Sequence, residues 1–221
     1  YTEQTAHGTS VFASWGVQVV PGYEQAGAKL TPDGGLELRV GVQSHGQGME
    51  TTLAQVANEV LGIDPAKITV IHGDTGLTPY STGTYASRSI VMAGGAVARS
   101  CRVLAERMKT IGAHLLQCRA DEVAILNAYV VGPAGEVPFS EIGRVWYMNP
   151  EELPAEVDVN GVEAVVGYRP DPDHGTFSYS THAAVVAVDP ETGAVEVLDY
   201  VVIEDCGTMV NPMVVAGQTY G

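Results

Sequence analysis

Between Leu36 and Gly62 the chain changes its hydrophobic period across a single glycine-bracketed turn. Leu36, Leu38, Val40 and Val42 alternate with polar or small residues, the period-two pattern of a strand with one buried face. Beyond Ser44-His45-Gly46-Gln47-Gly48, the residues Leu53, Val56, Ala57, Val60 and Leu61 recur at helical spacing, and Gly62 supplies a stop. Both element types must therefore share one core, which excludes purely helical and purely β architectures. The polar turn between them is the first place to look for a site.

The remaining pattern is equally mixed. Residues 9–20 are rich in β-branched and aromatic types and predict a strand, punctuated by Pro21-Gly22. Residues 23–42 predict a hairpin, with Pro32-Asp33-Gly34-Gly35 supplying the conformations a tight connection needs. Residues 68–73 read as a buried strand, and an aperiodic loop then runs to Ser89. From Ser87 to about Cys118 a helix is predicted, with Ile90, Gly94, Val97, Cys101, Leu104, Met108 and Ile111 along one stripe. A hairpin at 128–138, a short helix at 141–147 and an acidic, proline-bearing linker at 149–158 follow. Two long strands flank Asp189-Pro190-Glu191-Thr192-Gly193, one ending at Val188 and the other running from Ala194 to Glu204, and Pro212 opens a helix. Strands and helices do not alternate strictly, so the predicted class is α+β, mixed sheets with packed helices, rather than a doubly wound parallel sheet.

Composition excludes several functions. A formal net charge of −15 repels a phosphate backbone, and the densest basic stretch, Arg99 to Arg107, does not offset it; nucleic acid is not an expected partner. Glycine, proline or charge interrupts every apolar run before it reaches the ~18 residues a membrane span needs. Cys101, Cys118 and Cys206 are odd in number and widely spaced, which argues against a disulfide framework or a CxxC metal site and for a reducing, cytoplasmic setting. The chain opens on Tyr1-Thr2-Glu3 without initiator methionine or apolar leader, and closes soon after Pro212, the pattern expected of part of a larger polypeptide or of one subunit of a split one. Asp74-Thr75-Gly76 matches the triplet of aspartic proteases, but a single copy lacks the second carboxylate with which that site shares a proton. No G-x-S-x-G elbow, P-loop or Rossmann fingerprint occurs, and the histidines form no zinc-spaced pair.

Two segments carry chemistry. A polar glycine turn that opens a helix leaves backbone N–H groups without internal partners, and the helix dipole adds partial positive charge there, so such an end can hold an anion. The same residues can equally cap the helix, with His45, Gln47 and Glu50 facing water. The loop from Gly73 to Ser89 is long for a strand-to-helix connection. Its stretch Thr82-Gly83-Thr84-Tyr85-Ala86-Ser87-Arg88-Ser89 repeats the first arrangement of glycine, hydroxyls and free amides ahead of a helix, against the plainer alternative of a surface loop with hydroxyl caps. Two such helix starts facing one cleft could clasp an extended polyanion.

Residues 40–89, together with the downstream run from Asp189 to Gln218, resemble the molybdenum-binding large subunit of the xanthine dehydrogenase and aldehyde oxidase family, most of all its carbon monoxide dehydrogenase large chains. The resemblance holds in order along nearly the whole chain. It implies a molybdopterin-binding domain of that type and a cofactor, molybdopterin or molybdopterin cytosine dinucleotide carrying molybdenum, held by Gly46, Gln47 and Gly48 in one segment and by Thr84, Tyr85, Ala86, Ser87 and Ser89 in another. It implies Gln218 as a third contributor, with Asp205, Cys206 and Asn211 shaping the turn that delivers it. The general-base glutamate of a G-V-G-E motif and the cysteine loop of carbon monoxide oxidisers lie outside these residues, so no catalytic residue and no direct metal ligand is expected here, and the isolated chain is expected to be inactive. The implied enzyme oxidises an aldehyde, an N-heterocycle or carbon monoxide with water as oxygen source, and its partners are the remaining molybdenum-subunit segments, an iron–sulfur subunit with 2Fe-2S clusters and a flavin subunit with FAD. The alternative from another class is a non-catalytic assembly or cofactor-delivery module.

Overall fold

In the computed structural model, which describes residues 1–5, 7–16, 22–158, 160–170 and 175–221, the first elements are a short strand, β1 (Thr2–Gln4), and a single-turn helix, α1 (Ser10–Ser14). The helix corrects the strand expected at 9–20. Thr9 Oγ1 accepts from the Phe12 N–H at 3.4 Å, and Phe12 stacks edge-on against Trp15 three residues on, with ring centroids 5.5 Å apart. A hydroxyl cap and an i,i+3 aromatic pair here outweigh β-propensity. Residues 17–21, the rest of that expected strand and its proline, lie outside the described residues.

The predicted hairpin forms as β2 (Glu24–Leu30) and β3 (Leu36–Val40), antiparallel with Ala26 opposite Val40 and Leu30 opposite Leu36. Ala26, Ala28, Leu30, Leu36, Leu38 and Val40 are fully buried, so the alternating residues are the inner face. After Val40 the polar turn leads into α2 (Met49–Leu61), which Gly62 ends in a left-handed cap at φ 69°. The next strand, β4 (Ile68–Ile71), pairs parallel with β3 at the sheet edge and is half-buried rather than buried, because only one neighbour and one face cover it.

The long helix, α3 (Gly94–Leu115), begins later than the sequence predicts. Ser87 adopts φ 58°, which cannot start a right-handed helix, and Ser89–Ala93 form a π turn before regular geometry sets in. Its stripe is as predicted from Gly94 onward: Gly94, Val97, Cys101, Leu104, Met108 and Ile111 are buried, whereas Ile90, on the π turn, is not. Full burial of Leu104 there stabilises the fold by roughly 2 kcal/mol. Close approach explains Gly112, since a Cβ would lie 2.6 Å from Val130.

The hairpin expected at 128–138 forms, and an unpredicted strand joins it: β5 (Ala124–Leu126) pairs with β6 (Tyr129–Gly132), which pairs in turn with β7 (Gly135–Pro138), a three-stranded meander. The turn between β5 and β6 is Asn127-Ala128, both left-handed (φ 49° and 63°), and alanine gives little sequence signal for such a turn. Helix α4 (Phe139–Met148) follows, slightly longer than predicted. Residues 149–158 then run beside α3, where the Glu152 carbonyl meets His114 Nε2 at 2.8 Å and Asp158 pairs with Arg107 at 3.1 Å. Strand β8 (Glu163–Tyr168) pairs antiparallel with β2 and completes the sheet in the order β4-β3-β2-β8.

The last elements are β9 (Phe177–Val188), β10 (Val195–Asp205) and α5 (Pro212–Tyr220). The two strands form the predicted hairpin, with a bulge between Val197 and Asp199, and β1 pairs with β9 on its other side. In α5, Pro212 occupies the first turn and the Asn211 side chain caps the Val214 N–H at 3.1 Å. The architecture is α+β, with both polar loops rising from the β3 and β4 end of the main sheet.

Candidate functional site

The first loop, Gln43 to Gly48, is held mainly by its own side chains. Gln47 Oε1 accepts from the His45 N–H at 2.5 Å, and Gln47 Nε2 reaches the Gln43 carbonyl at 3.4 Å. Gly46 (φ 92°) and Gly48 (φ 75°) are left-handed, which only glycine adopts without strain. Gly48 precedes α2 without any side-chain cap, and nothing lies within 4 Å of where a Gly46 Cβ would stand. The loop is thus open on the side that Gly46 presents.

A carboxylate already occupies the start of α2. Glu50 Oε2 accepts from Ser44 Oγ at 3.0 Å, and Glu50 Oε1 meets His72 Nε2 at 3.0 Å. Its own backbone amide above all holds the Glu50 carboxyl below the usual range; burial opposes this, and Ser44 and His72 add to the lowering. A bound anion would therefore meet the amides of the Gly46–Gly48 turn rather than the first helical turn.

The second loop closes onto the first through Thr84. Its Oγ1 accepts from the Gln43 N–H and donates to the Gln43 carbonyl, both at 2.7 Å, while Ser89 Oγ lies 3.4 Å from it. Ala86 and Ser87 are left-handed at φ 44° and 58° although neither is glycine. Ser87 Oγ donates to Glu3 Oε1 at 2.5 Å, and Tyr85 OH lies 3.2 Å from Thr82 Oγ1. Asp74, by contrast, is engaged in an ordinary turn: its Oδ1 accepts from Gly76 N at 2.8 Å and its carbonyl accepts from Thr78. The triplet it begins has a structural occupation.

Helix α5 is the third element at this edge. A Cβ on Gly48 would approach Val214 Cγ2 to 2.8 Å, and Asn211 Nδ2 donates to Gln55 Oε1 on α2 at 2.9 Å. Gln218 lies one turn beyond Val214 on the same helical face, about 6 Å further along, and is exposed. Glu204 ties the neighbouring Thr219 back to β10 at 2.6 Å. Gly46, Gln47, Gly48, Thr84, Tyr85, Ala86, Ser87 and Ser89 thus stand on two loops joined by hydrogen bonds, and α5 rests on the first of them.

The signature of the molybdopterin cofactor-binding domain matches residues 3–221. The chain belongs to that family. Among curated relatives it is 31% identical over 224 aligned residues to the nicotine 6-hydroxylase large subunit of Paenarthrobacter nicotinovorans, covering 100% of this chain and 27% of that protein. It is 32% identical to the carbon monoxide dehydrogenase large chain of Hydrogenophaga pseudoflava, over 90% of this chain and 24% of the relative. Among solved structures, quinoline 2-oxidoreductase from Pseudomonas putida 86 superposes with a TM-score of 0.86 at 34% identity, covering 99% of this chain and 28% of the other. The domain thus spans about a quarter of the length of these relatives.

Molybdopterin is elongated and phosphate-bearing, and the residues present fit such a group. Left-handed glycines at 46 and 83 hold the main chain close to an open side, since Cβ atoms there would meet nothing within 4 Å. No side chain caps either helix start. Sequence reasoning missed the buried support of the second loop. Arg88 and Glu24 are both fully buried and paired at 2.9 Å. A readable signal existed for the glutamate, because Glu24 stands in the inward phase of β2 with Ala26, Ala28 and Leu30, where a charge needs a partner.

Proposed function

We propose that the Gln43–Gly48 loop, the Thr84–Ser89 segment and α5 hold the molybdopterin portion of a molybdenum hydroxylase, with Gly46, Gln47, Gly48, Thr84, Tyr85, Ala86, Ser87 and Ser89 lining it and Gln218 contributing from α5. The single observation that carries this is the double hydrogen bond between Thr84 and Gln43, which joins two glycine loops at the uncapped starts of two helices. Backbone N–H groups supply donors to phosphate oxygens, and a Gln218 amide could both donate and accept at a pterin edge, which an apolar residue could not. When bound, such a cofactor supplies two-electron oxidation of an aldehyde, N-heterocycle or carbon monoxide with water as oxygen source. On this reading these residues bind and orient it.

The whole protein on this reading is a cytoplasmic complex in which iron–sulfur and flavin partners carry the electrons away. Three free cysteines, one of them exposed, support a reducing compartment. The exposed apolar ribbon of β9 and β10 supports close packing against further segments of the same subunit. The test is molybdenum and pterin determination on the protein purified from its native source, alongside Gln47→Ala and Ser87→Ala variants. Stoichiometric pterin in the parent and reduced pterin in the variants, at an unchanged melting temperature, is the expected result. A parent without pterin, or variants that only melt earlier, would remove the site from these loops.

A further inference from the structure

We propose that the buried Glu24–Arg88 ion pair is a positioning clamp that fixes the main chain of Thr84–Ser87 for the cofactor; the inference rests on the functional reading above. The guanidinium fork binds acceptors from two elements at once. Arg88 Nη1 donates to Glu24 Oε2 at 2.9 Å and to the Gly83 carbonyl at 2.7 Å, and Nη2 donates to the Tyr23 carbonyl at 3.2 Å. Ser81 Oγ donates to the same Glu24 oxygen at 2.7 Å and accepts from the Gly83 N–H at 3.0 Å. Gly83 is therefore pinned through both of its main-chain polar groups, and both pins end on one carboxylate. The other carboxylate oxygen accepts from Gln25 N at 3.2 Å, and the Tyr85 ring lies over the guanidinium, 5.2 Å from its carbon.

What the clamp encloses is the strained part of the loop. Between Gly83 and Arg88 stand Ala86 and Ser87, whose left-handed backbone persists in non-glycine residues only when the surroundings over-determine it. A buried ion pair is a poor device for stability, since apolar residues of similar volume often replace one without loss. Its distinctive property is directional. A guanidinium imposes planar, multi-acceptor geometry that neither an apolar side chain nor a lysine reproduces. Arg88 itself is fully buried and does not line the open side of the loop, so it acts through Gly83 and not by contact with the cofactor.

The test uses the full-length protein that contains this domain, in complex with its partners. Arg88→Ala or Glu24→Ala alone would leave an unpaired buried charge and endanger folding, so the decisive variant is the apolar double replacement Glu24→Leu/Arg88→Met, with Arg88→Lys as the conservative single change. Three quantities are read: melting temperature, pterin and molybdenum per protein, and amide hydrogen exchange in residues 81–89 against residues 24–40. The clamp predicts that the double variant keeps its melting temperature within about 5 °C while exchange in 81–89 rises about tenfold and pterin content falls about fivefold or more. Arg88→Lys should keep the melting temperature but raise exchange in 81–89, because one ammonium cannot span Glu24, Gly83 and Tyr23. Unchanged exchange in 81–89, or raised exchange with unchanged pterin, overturns the clamp. A parent protein without pterin overturns the functional reading and the clamp's purpose together, and is told apart from a failed clamp because the exchange contrast is read on the protein alone.

Discussion

Thr84 Oγ1 engages both main-chain polar groups of Gln43, accepting from its N–H and donating to its carbonyl at 2.7 Å each, across a sequence separation of 41. Among the described residues, no other side chain ties the two glycine loops together so directly. Thr84→Val keeps the shape and removes both bonds. Because the site is partly exposed, the expected cost is about 1–2 kcal/mol, a melting-temperature loss of roughly 3–6 °C for a domain of this size. Pterin content should fall further than that loss alone explains. Thermal denaturation with pterin determination checks it, and unaltered values in both would show that Thr84 does not hold the loops in register.

Gly46 and Gly48 separate two reasons for glycine. Both are left-handed, yet a Cβ at 46 meets open space while one at 48 meets Val214 at 2.8 Å. Gly46→Ala should cost only backbone strain, roughly 1 kcal/mol, and Gly48→Ala roughly 1–2 kcal/mol more because α5 must move as well. Adding Val214→Ala to Gly48→Ala should recover the difference and leave the strain. Equal denaturant midpoints for the two single variants would mean that α5 does not bear on the loop.

These details mark where the sequence stops being legible. The β2–β3 hairpin, α2, the body of α3 and the β9–β10 hairpin follow from period and punctuation because burial and local turn chemistry agree at those elements. The misread pieces are those in which two local forces compete. Thr9 caps a turn of helix inside a β-prone run, Asn127-Ala128 makes a left-handed turn without glycine, and Ser87 delays the start of α3. The glycine loops could be seen from residue types, but their joining could not, since a bond from Thr84 to Gln43 depends on how β3, β4 and α3 pack. The Glu24–Arg88 pair was half visible, as a charge in an inward strand position whose partner no spacing rule could find.

Cys101 gives a pH dependence with a definite sign. Burial pushes its thiol from an ordinary value of 9.0 up to about 12. The folded thiol therefore stays protonated where the unfolded one ionises, so its contribution to stability is complete below the unfolded value and is lost as the pH rises from 9.0 towards about 12. Denaturation midpoints of the parent should fall over that interval, and those of Cys101→Ala should fall less. Alkylation of Cys101 should proceed only as fast as the protein opens. Rapid labelling in the native state would contradict its burial.

The ribbon of β9 and β10 leads to the last prediction. Val186, Val197 and Tyr200 project from one side, and Val185, Val201 and Ile203 from the other, with exposures between 46% and 68%. Strands apolar on both faces are the pattern of strands covered on both faces, and soluble proteins rarely leave contiguous apolar patches beyond a few hundred Å² in water. The domain spans about a quarter of the length of its relatives, so covering segments have ample source in a whole protein of that size. Val186→Asp and Val201→Asp, one on each face, should each destabilise the whole protein by ~2 kcal/mol or more, because a carboxylate would be enclosed without a partner. Glu191→Lys, in the exposed turn between the strands, serves as control and should stay within about 0.5 kcal/mol of the parent. Harm from only one of the two aspartates would show that a single face is covered, and two neutral outcomes would mean that the ribbon stands in solvent.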